Sequence, residues 1–224
     1  MPNSYPKPFT MSYGASIRFL CRKHKYIWFK NPKAACTSFL KILYDHGHIN
    51  RLPLHARQNR GISKDGQAWI PPGNRKDFFK FAFVRNPWDR MVSTFEDKTK
   101  KVTGTKYSIK SYQKWEKADF DTFVRDVYQK NICSLDAHLR PQYLNVNFGW
   151  GLDFIGKVEN FSHDAKYAAE KCGIKGEVKV ERINPTKRKK DYRDYYNEET
   201  KQMVEELYLI DCKLFDYKFD QEDV

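Results

Sequence analysis

No stretch of the 224-residue sequence approaches the roughly eighteen consecutive apolar residues that a membrane-spanning helix needs, and the first ten residues, broken by Pro2, Pro6 and Pro8, hold no apolar leader core. As given, the chain therefore reads as lacking a membrane span, and as cytoplasmic. Cysteine is sparse: Cys21, Cys36, Cys133, Cys172 and Cys212 are odd in number, far apart and without a CxxC pair, which argues against a disulfide framework and a cysteine zinc site. The glycines never form the two-glycine Walker pattern, and no internal repeat of about twenty residues or more is present. Acidic residues are outnumbered, 28 against 41 Lys and Arg, and the net charge of +13 favours anionic partners: an anionic cofactor, a sulfated or carboxylated glycan, nucleic acid or an anionic membrane surface. Aromatic residues are abundant at 16%, which with 40% hydrophobic residues argues for a folded core and against disorder. The length suits one domain over 1–224, with residues 1–20 as an N-terminal extension and the Lys-, Thr-, Ser- and Tyr-rich stretch 98–117 as an exposed, flexible insertion that could touch an acceptor.

Two strand-to-helix junctions stand out. In the first, the apolar run from Tyr26 to Phe29 predicts a short buried strand, Pro32 ends it, and Phe39, Leu40, Ile42 and Leu43 fall at helical spacing after Thr37 and Ser38. A helix start of that kind carries partial positive charge and unpaired N–H donors, so Lys33 in the loop and two hydroxyls at the cap make an anion site suited to phosphate or sulfate. An ordinary turn with a solvated lysine fits the same stretch. In the second, Phe79 to Val84 reads as a strand, Pro87 suits a first helical turn, and Met91, Val92 and Phe95 form an apolar stripe. Arg85 then stands at a strand's carboxyl end with Ser93 about two turns along the helix, in reach of one shared phosphate. Two anion sites suggest one doubly anionic ligand.

These stretches resemble the motifs of sulfotransferases that use 3′-phosphoadenosine 5′-phosphosulfate (PAPS), in particular the Golgi carbohydrate branch of heparan and chondroitin type. Asn31-Pro32-Lys33-Ala34-Ala35-Cys36-Thr37-Ser38 is similar to that family's 5′-phosphosulfate loop, and Arg85-Asn86-Pro87-Trp88-Asp89-Arg90-Met91-Val92-Ser93 to its 3′-phosphate motif. Ala137-His138-Leu139-Arg140-Pro141-Gln142-Tyr143, Phe154-Ile155-Gly156-Lys157-Val158-Glu159 and Ile183 to Tyr192 extend the likeness, which spans about Tyr26 to Tyr217. It departs from the family at Ala35, where many relatives carry glycine, and in having no membrane anchor in the sequence as given. The resemblance implies a P-loop-NTPase-like sulfotransferase fold, PAPS as donor, 3′-phosphoadenosine 5′-phosphate (PAP) as product, no metal, and a hydroxyl acceptor, most simply a carbohydrate. It also implies that residues 34–38 hold the phosphosulfate, that Arg85 and Ser93 hold the 3′-phosphate, and that Lys187, Arg188 and Tyr192 form a covering loop near the 3′-phosphate and adenine. Sulfuryl transfer, like phosphoryl transfer, needs charge neutralisation at the leaving oxygen, a role that falls to Lys33.

The acceptor hydroxyl needs a base titrating near neutrality, which favours histidine. His55, between the two motifs, resembles in position the base of heparan sulfate 2-O- and 6-O-sulfotransferases; His46 and His48 are neighbouring alternatives, and His138 is the rival. Cys36 reads as a packing residue rather than a nucleophile, because direct sulfuryl transfer needs no covalent intermediate. Further along, Asp119 to Lys130 is a helix with Phe120, Phe123, Val124 and Val127 at helical spacing and an aspartate available to cap it, Asp153 to Val158 is a strand, Asn160 caps a helix ending near Gly173, and Asn197 to Phe215 is one amphipathic helix with Met203, Leu207, Ile210 and Leu214 on one side. The alternation predicts an α/β fold with a mainly parallel central sheet flanked by helices, its ligands at the strands' carboxyl ends. Two other functions fit the composition: a non-enzymatic basic protein binding polyanions, although no nucleic-acid motif is present and nucleic acid is not expected, and a P-loop-type kinase.

Overall fold

The computed structural model describes residues 17–49, 76–99, 114–115, 117–146, 148–181 and 190–221. His55, Lys187, Arg188 and most of the crossover 46–75 and of the stretch 98–117 lie outside the described residues. A four-stranded sheet runs in the order β1 (Ile17–Cys21), β2 (Tyr26–Lys30), β3 (Phe79–Val84) and β4 (Phe154–Lys157). β2, β3 and β4 are parallel, as the alternation predicts, with Trp28 opposite Phe81 and Phe81 opposite Phe154. β1 is an antiparallel edge strand that pairs Phe19 with Trp28, so the sheet begins inside the stretch expected as an extension. Its five residues include the charged Arg18, and pairing with β2 makes them a strand.

The helices are α1 (Cys36–Asp45), α2 (Pro87–Lys98), α3 (Phe120–Tyr128), the single turn α4 (Gln142–Asn145), α5 (Phe161–Lys171), α6 (Glu198–Leu207) and α7 (Leu209–Phe215). Strand alternation sends Phe19, Tyr26, Trp28, Phe81 and Phe83 to one face, where they meet Phe39 and Leu43 of α1 and Phe161, Ala165 and Ala168 of α5. Leu20, Ile27, Phe29, Ala82 and Val84 go to the other face, against Val146, Phe215 and Tyr217. The sheet is thus covered on both sides, as a parallel sheet requires. A third cluster joins α2, α3 and α6 through Trp88, Val92, Phe123, Val127 and Val204.

Several helix ends follow the sequence and several do not. Asp119 accepts from the Thr122 N–H at 2.8 Å, Asn86 caps α2 by accepting from Trp88 and Asp89, and Pro87 is its first residue. Asn160 stands at the N-cap of α5 as expected, but its side chain makes no capping bond; its amide donates to the Asp164 carboxylate at 3.0 Å instead. The expected final helix is two, broken at Tyr208, and it turns Val204, Tyr208 and Phe215 inward while Leu214 stays exposed. At the break Tyr208 leaves helical geometry (φ −112°, ψ 23°), and its buried hydroxyl donates to Leu139 O at 2.6 Å, a tertiary bond that periodicity cannot reveal. Among the described residues no helix is long and apolar enough to cross a membrane.

Candidate active site

The carboxyl ends of β2 and β3 lie side by side, and the loop after each faces the other. After β2 the chain turns through Asn31 to Ala35, with the Ala34 N–H donating to Asn31 O at 3.1 Å. Lys33 (φ 69°) and Ala35 (φ 53°) are left-handed, a conformation non-glycine residues adopt at a cost and keep where surrounding structure imposes it. α1 therefore starts at Cys36 with Ala35 as its cap, no capping side chain and no acid in the first turn. Thr37 and Ser38 are not caps, as the sequence suggested, but second and third helical residues. The first-turn N–H groups of Cys36, Thr37 and Ser38 point out of the start of the helix, toward the loop that carries Lys33. The Cys36 thiol donates to Asn31 O at 3.0 Å, and burial pushes its pKa up, so it braces the loop as a neutral group.

Arg85, one residue beyond β3, reaches this loop: its Nη1 donates to Lys33 O at 3.3 Å while its Nε is held by the Asp89 carboxylate at 2.6 Å. Lys33 is held in the same manner by Asp97 at 3.2 Å, and Asp97 also meets Lys98 at 3.1 Å. Asp89, Ser93 and Asp97 follow at intervals of four along α2 and so share one face. Ser93 thus stands, buried, between the carboxylate that holds Arg85 and the one that holds Lys33. Burial pushes the Lys33 pKa down to about 8, with Asp97 opposing that fall.

His138 lies in the turn before α4. Its Nδ1 and the Asp136 Oδ1 are 2.5 Å apart, and the fields of Lys98 and Lys33 both reach the ring. Burial, more than Asp136 can offset, lowers its pKa below the ordinary histidine value, leaving a neutral ring at neutral pH. Arg90 ties this turn to the loop after β2: fully buried, it donates to Pro32 O, Ala137 O and Arg140 O at 2.9 to 3.1 Å. By contrast His46 and His48 lie at the far end of α1, about 15 Å along the helix from the loop. There His48 stacks on His24 at 4.1 Å, so neither takes part in this site.

Of the expected site residues, the structure gathers Lys33, Ala34, Ala35, Cys36, Thr37, Ser38, Arg85 and Ser93, with His138 alongside. Tyr192 packs in the third core cluster with Trp88, and its hydroxyl donates to Phe219 O. Sequence reasoning missed Asp97, Asp136 and Gln142, whose importance comes from partners distant in the chain. It also missed Lys30, a buried lysine at the end of β2 that has no carboxylate partner among the described residues and lies 5.6 Å from the Trp28 ring centre.

The sulfotransferase family model matches residues 18–218, nearly the whole chain and all of the site above. Similar curated proteins are carbohydrate sulfotransferase 10 of Xenopus laevis (25% identical, covering 89% of this chain and 67% of that one) and carbohydrate sulfotransferase 11 of Mus musculus (24%, 87% and 65%). Carbohydrate sulfotransferase 14 of Danio rerio is 25% identical over 70% of this chain and 48% of its own length. The chain thus spans from about half to two thirds of these relatives. No solved structure matches. With the family's match covering both strand-to-helix junctions and the sheet that carries them, the chain belongs to the sulfotransferase family.

Proposed function

We propose that the chain transfers the sulfuryl group of PAPS to a hydroxyl of a carbohydrate. The observation that carries the reading is the pairing of two cation-bearing loops, Arg85 reaching across to the backbone of Lys33, with Ser93 between them. A ligand with anionic groups at both ends fits this arrangement, and PAPS has them. The fit is chemical: main-chain donors of residues 34–38 and Lys33 suit the phosphosulfate, Arg85 and Ser93 the 3′-phosphate. Lys187 and Arg188 belong to this proposal as further 3′-phosphate contacts. The carbohydrate acceptor rests on the names of the relatives.

In the reaction the acceptor oxygen forms a bond to sulfur as the bridging S–O bond breaks, and the electron pair of that bond goes to the phosphate oxygen of departing PAP. Lys33 neutralises the charge arriving there, with the loop's N–H groups beside it. The acceptor proton goes to a histidine. His138 fits best, because it is neutral and oriented by Asp136 in the turn that Arg90 ties to the Lys33 loop. His55 is its rival.

The test is sulfuryl transfer from labelled PAPS to a panel of glycans. Lys33→Ala should abolish turnover with the fold intact, since the side chain belongs to a loop and not to the core. His138→Ala should lower kcat by about 10²–10⁴-fold with PAP affinity nearly unchanged. If His55→Ala does this and His138→Ala does not, the base is His55. Wild-type turnover in Lys33→Ala would contradict the leaving-group role.

A further inference from the structure

Gln142 is fully buried, and its side-chain amide touches both loops of the site at once. Its Oε1 accepts from the Arg85 N–H at 2.9 Å and from Asn31 Nδ2 at 2.7 Å, and its Nε2 donates to Arg85 O at 2.7 Å. Arg85 lies just past β3, where its main chain has run out of strand partners; the amide supplies the missing acceptor and donor together, as a neighbouring strand would. Asn31, at the matching point after β2, spends its own Oδ1 on Asn145 Nδ2 at 3.2 Å and its backbone carbonyl on Ala34 N–H and the Cys36 thiol. Arg90 ties the same brace to one loop only, through Pro32 O. Gln142 is itself fixed from behind, its N–H and that of Tyr143 donating to the Asp211 carboxylate at 2.7 and 2.9 Å.

We propose that Gln142 is a positioning residue that sets the span between the two anion-binding loops, so that a ligand anchored at one end finds the second end already in register. The inference rests on the donor reading above. Its physical basis is that two linked contacts add their full strength only when the distance between them is fixed before binding; otherwise part of the second contact is spent on ordering the loops. Only an amide serves here. Glutamate would set a carboxylate against Arg85 O, and methionine, of similar size, offers neither donor nor acceptor.

The experiment compares PAP, which carries both phosphates, with AMP, which lacks the one at the 3′ position, by calorimetry on the full chain. The ratio of their dissociation constants reads the benefit of the second end. In the wild type this ratio should be about tenfold or more, as a charge-assisted contact provides. In Gln142→Met it should fall to within about threefold of unity, while AMP affinity changes little. A purely structural role would lower the melting temperature and both affinities together, leaving the ratio at its wild-type value, and that result would overturn the proposal. Should Gln142→Met fail to fold, Asn145→Ala, which releases Asn31 Oδ1 and the Ala137 carbonyl but leaves Gln142 and both its bonds to Arg85 in place, must lower the ratio; a wild-type ratio there is equally contrary. Absence of PAP binding by the wild type would instead remove the donor reading, and the inference with it.

Discussion

Lys33 is positioned so that its charge depends on its surroundings. Burial alone would favour the neutral amine, and the carboxylate of Asp97 keeps the pKa at about 8. If the protonated form neutralises the leaving oxygen, kcat/KM must fall as pH rises through about 8. Asp97→Asn removes the group that holds the proton on, so this alkaline limb should move to lower pH. The acid limb, on the proposal that His138 is the base, should stay below the ordinary histidine pKa. An alkaline limb unmoved by Asp97→Asn would detach it from Lys33. The charges themselves were legible in the sequence, because Lys33 and Arg85 each follow an apolar run ended by a turn. Asp97 was not, since it looks like any polar residue at the end of a helix until the fold brings Lys33 beside it. Gln142 fell within a stretch that resembles the family, but its role was not legible for the same reason, with 57 positions separating it from Arg85.

Among the elements, β3 carries the most: it is central in the sheet, its aromatic residues anchor α1 and α5, and its end places Arg85. Phe83 packs against Phe39 and Phe161 at ring-centre distances of 5.1 and 5.3 Å, and it can do so because β4 passes it with a glycine. A Cβ on Gly156 would lie 2.6 Å from two Phe83 ring carbons and 3.2 Å from Asp164 Cβ. Phe83 has no room to retreat, so Gly156→Ala should cost about 1–3 kcal/mol as overpacking, measurable by urea denaturation. Full wild-type stability would mean that β4 shifts freely. β2, β3, β4 and the helices α1, α2, α3 and α5 were readable from runs, periodicity and turn residues. β1 was not, because a five-residue segment containing Arg18 becomes a strand only through its neighbour, and neither was the break at Tyr208, whose side chain bonds a carbonyl distant in the chain.

On the scale of the whole molecule, the carboxyl-terminal helices buttress the site from beneath. Asp211 on α7 is fully buried under α4, accepts two main-chain N–H groups there, and lies within the field of Arg90. Burial raises its pKa to about 6 in spite of those bonds. In the unfolded chain it titrates near 4, so between about pH 4 and 6 the folded chain binds the additional proton. Its contribution to stability therefore falls as pH rises through that window, by on the order of 2–3 kcal/mol. Denaturation at pH 4, 5 and 6 should show this slope as the difference between the wild type and Asp211→Asn; parallel behaviour of the two would rule it out. The central claim, that this basic chain is built around one doubly anionic nucleotide, is tested most directly by calorimetric titration with PAP, ATP and a DNA oligomer. Saturable binding of one PAP per chain, selective over the other two, is the predicted result. Equal binding of ATP would favour a kinase, and preferential binding of DNA a polyanion-binding protein; either would contradict the account.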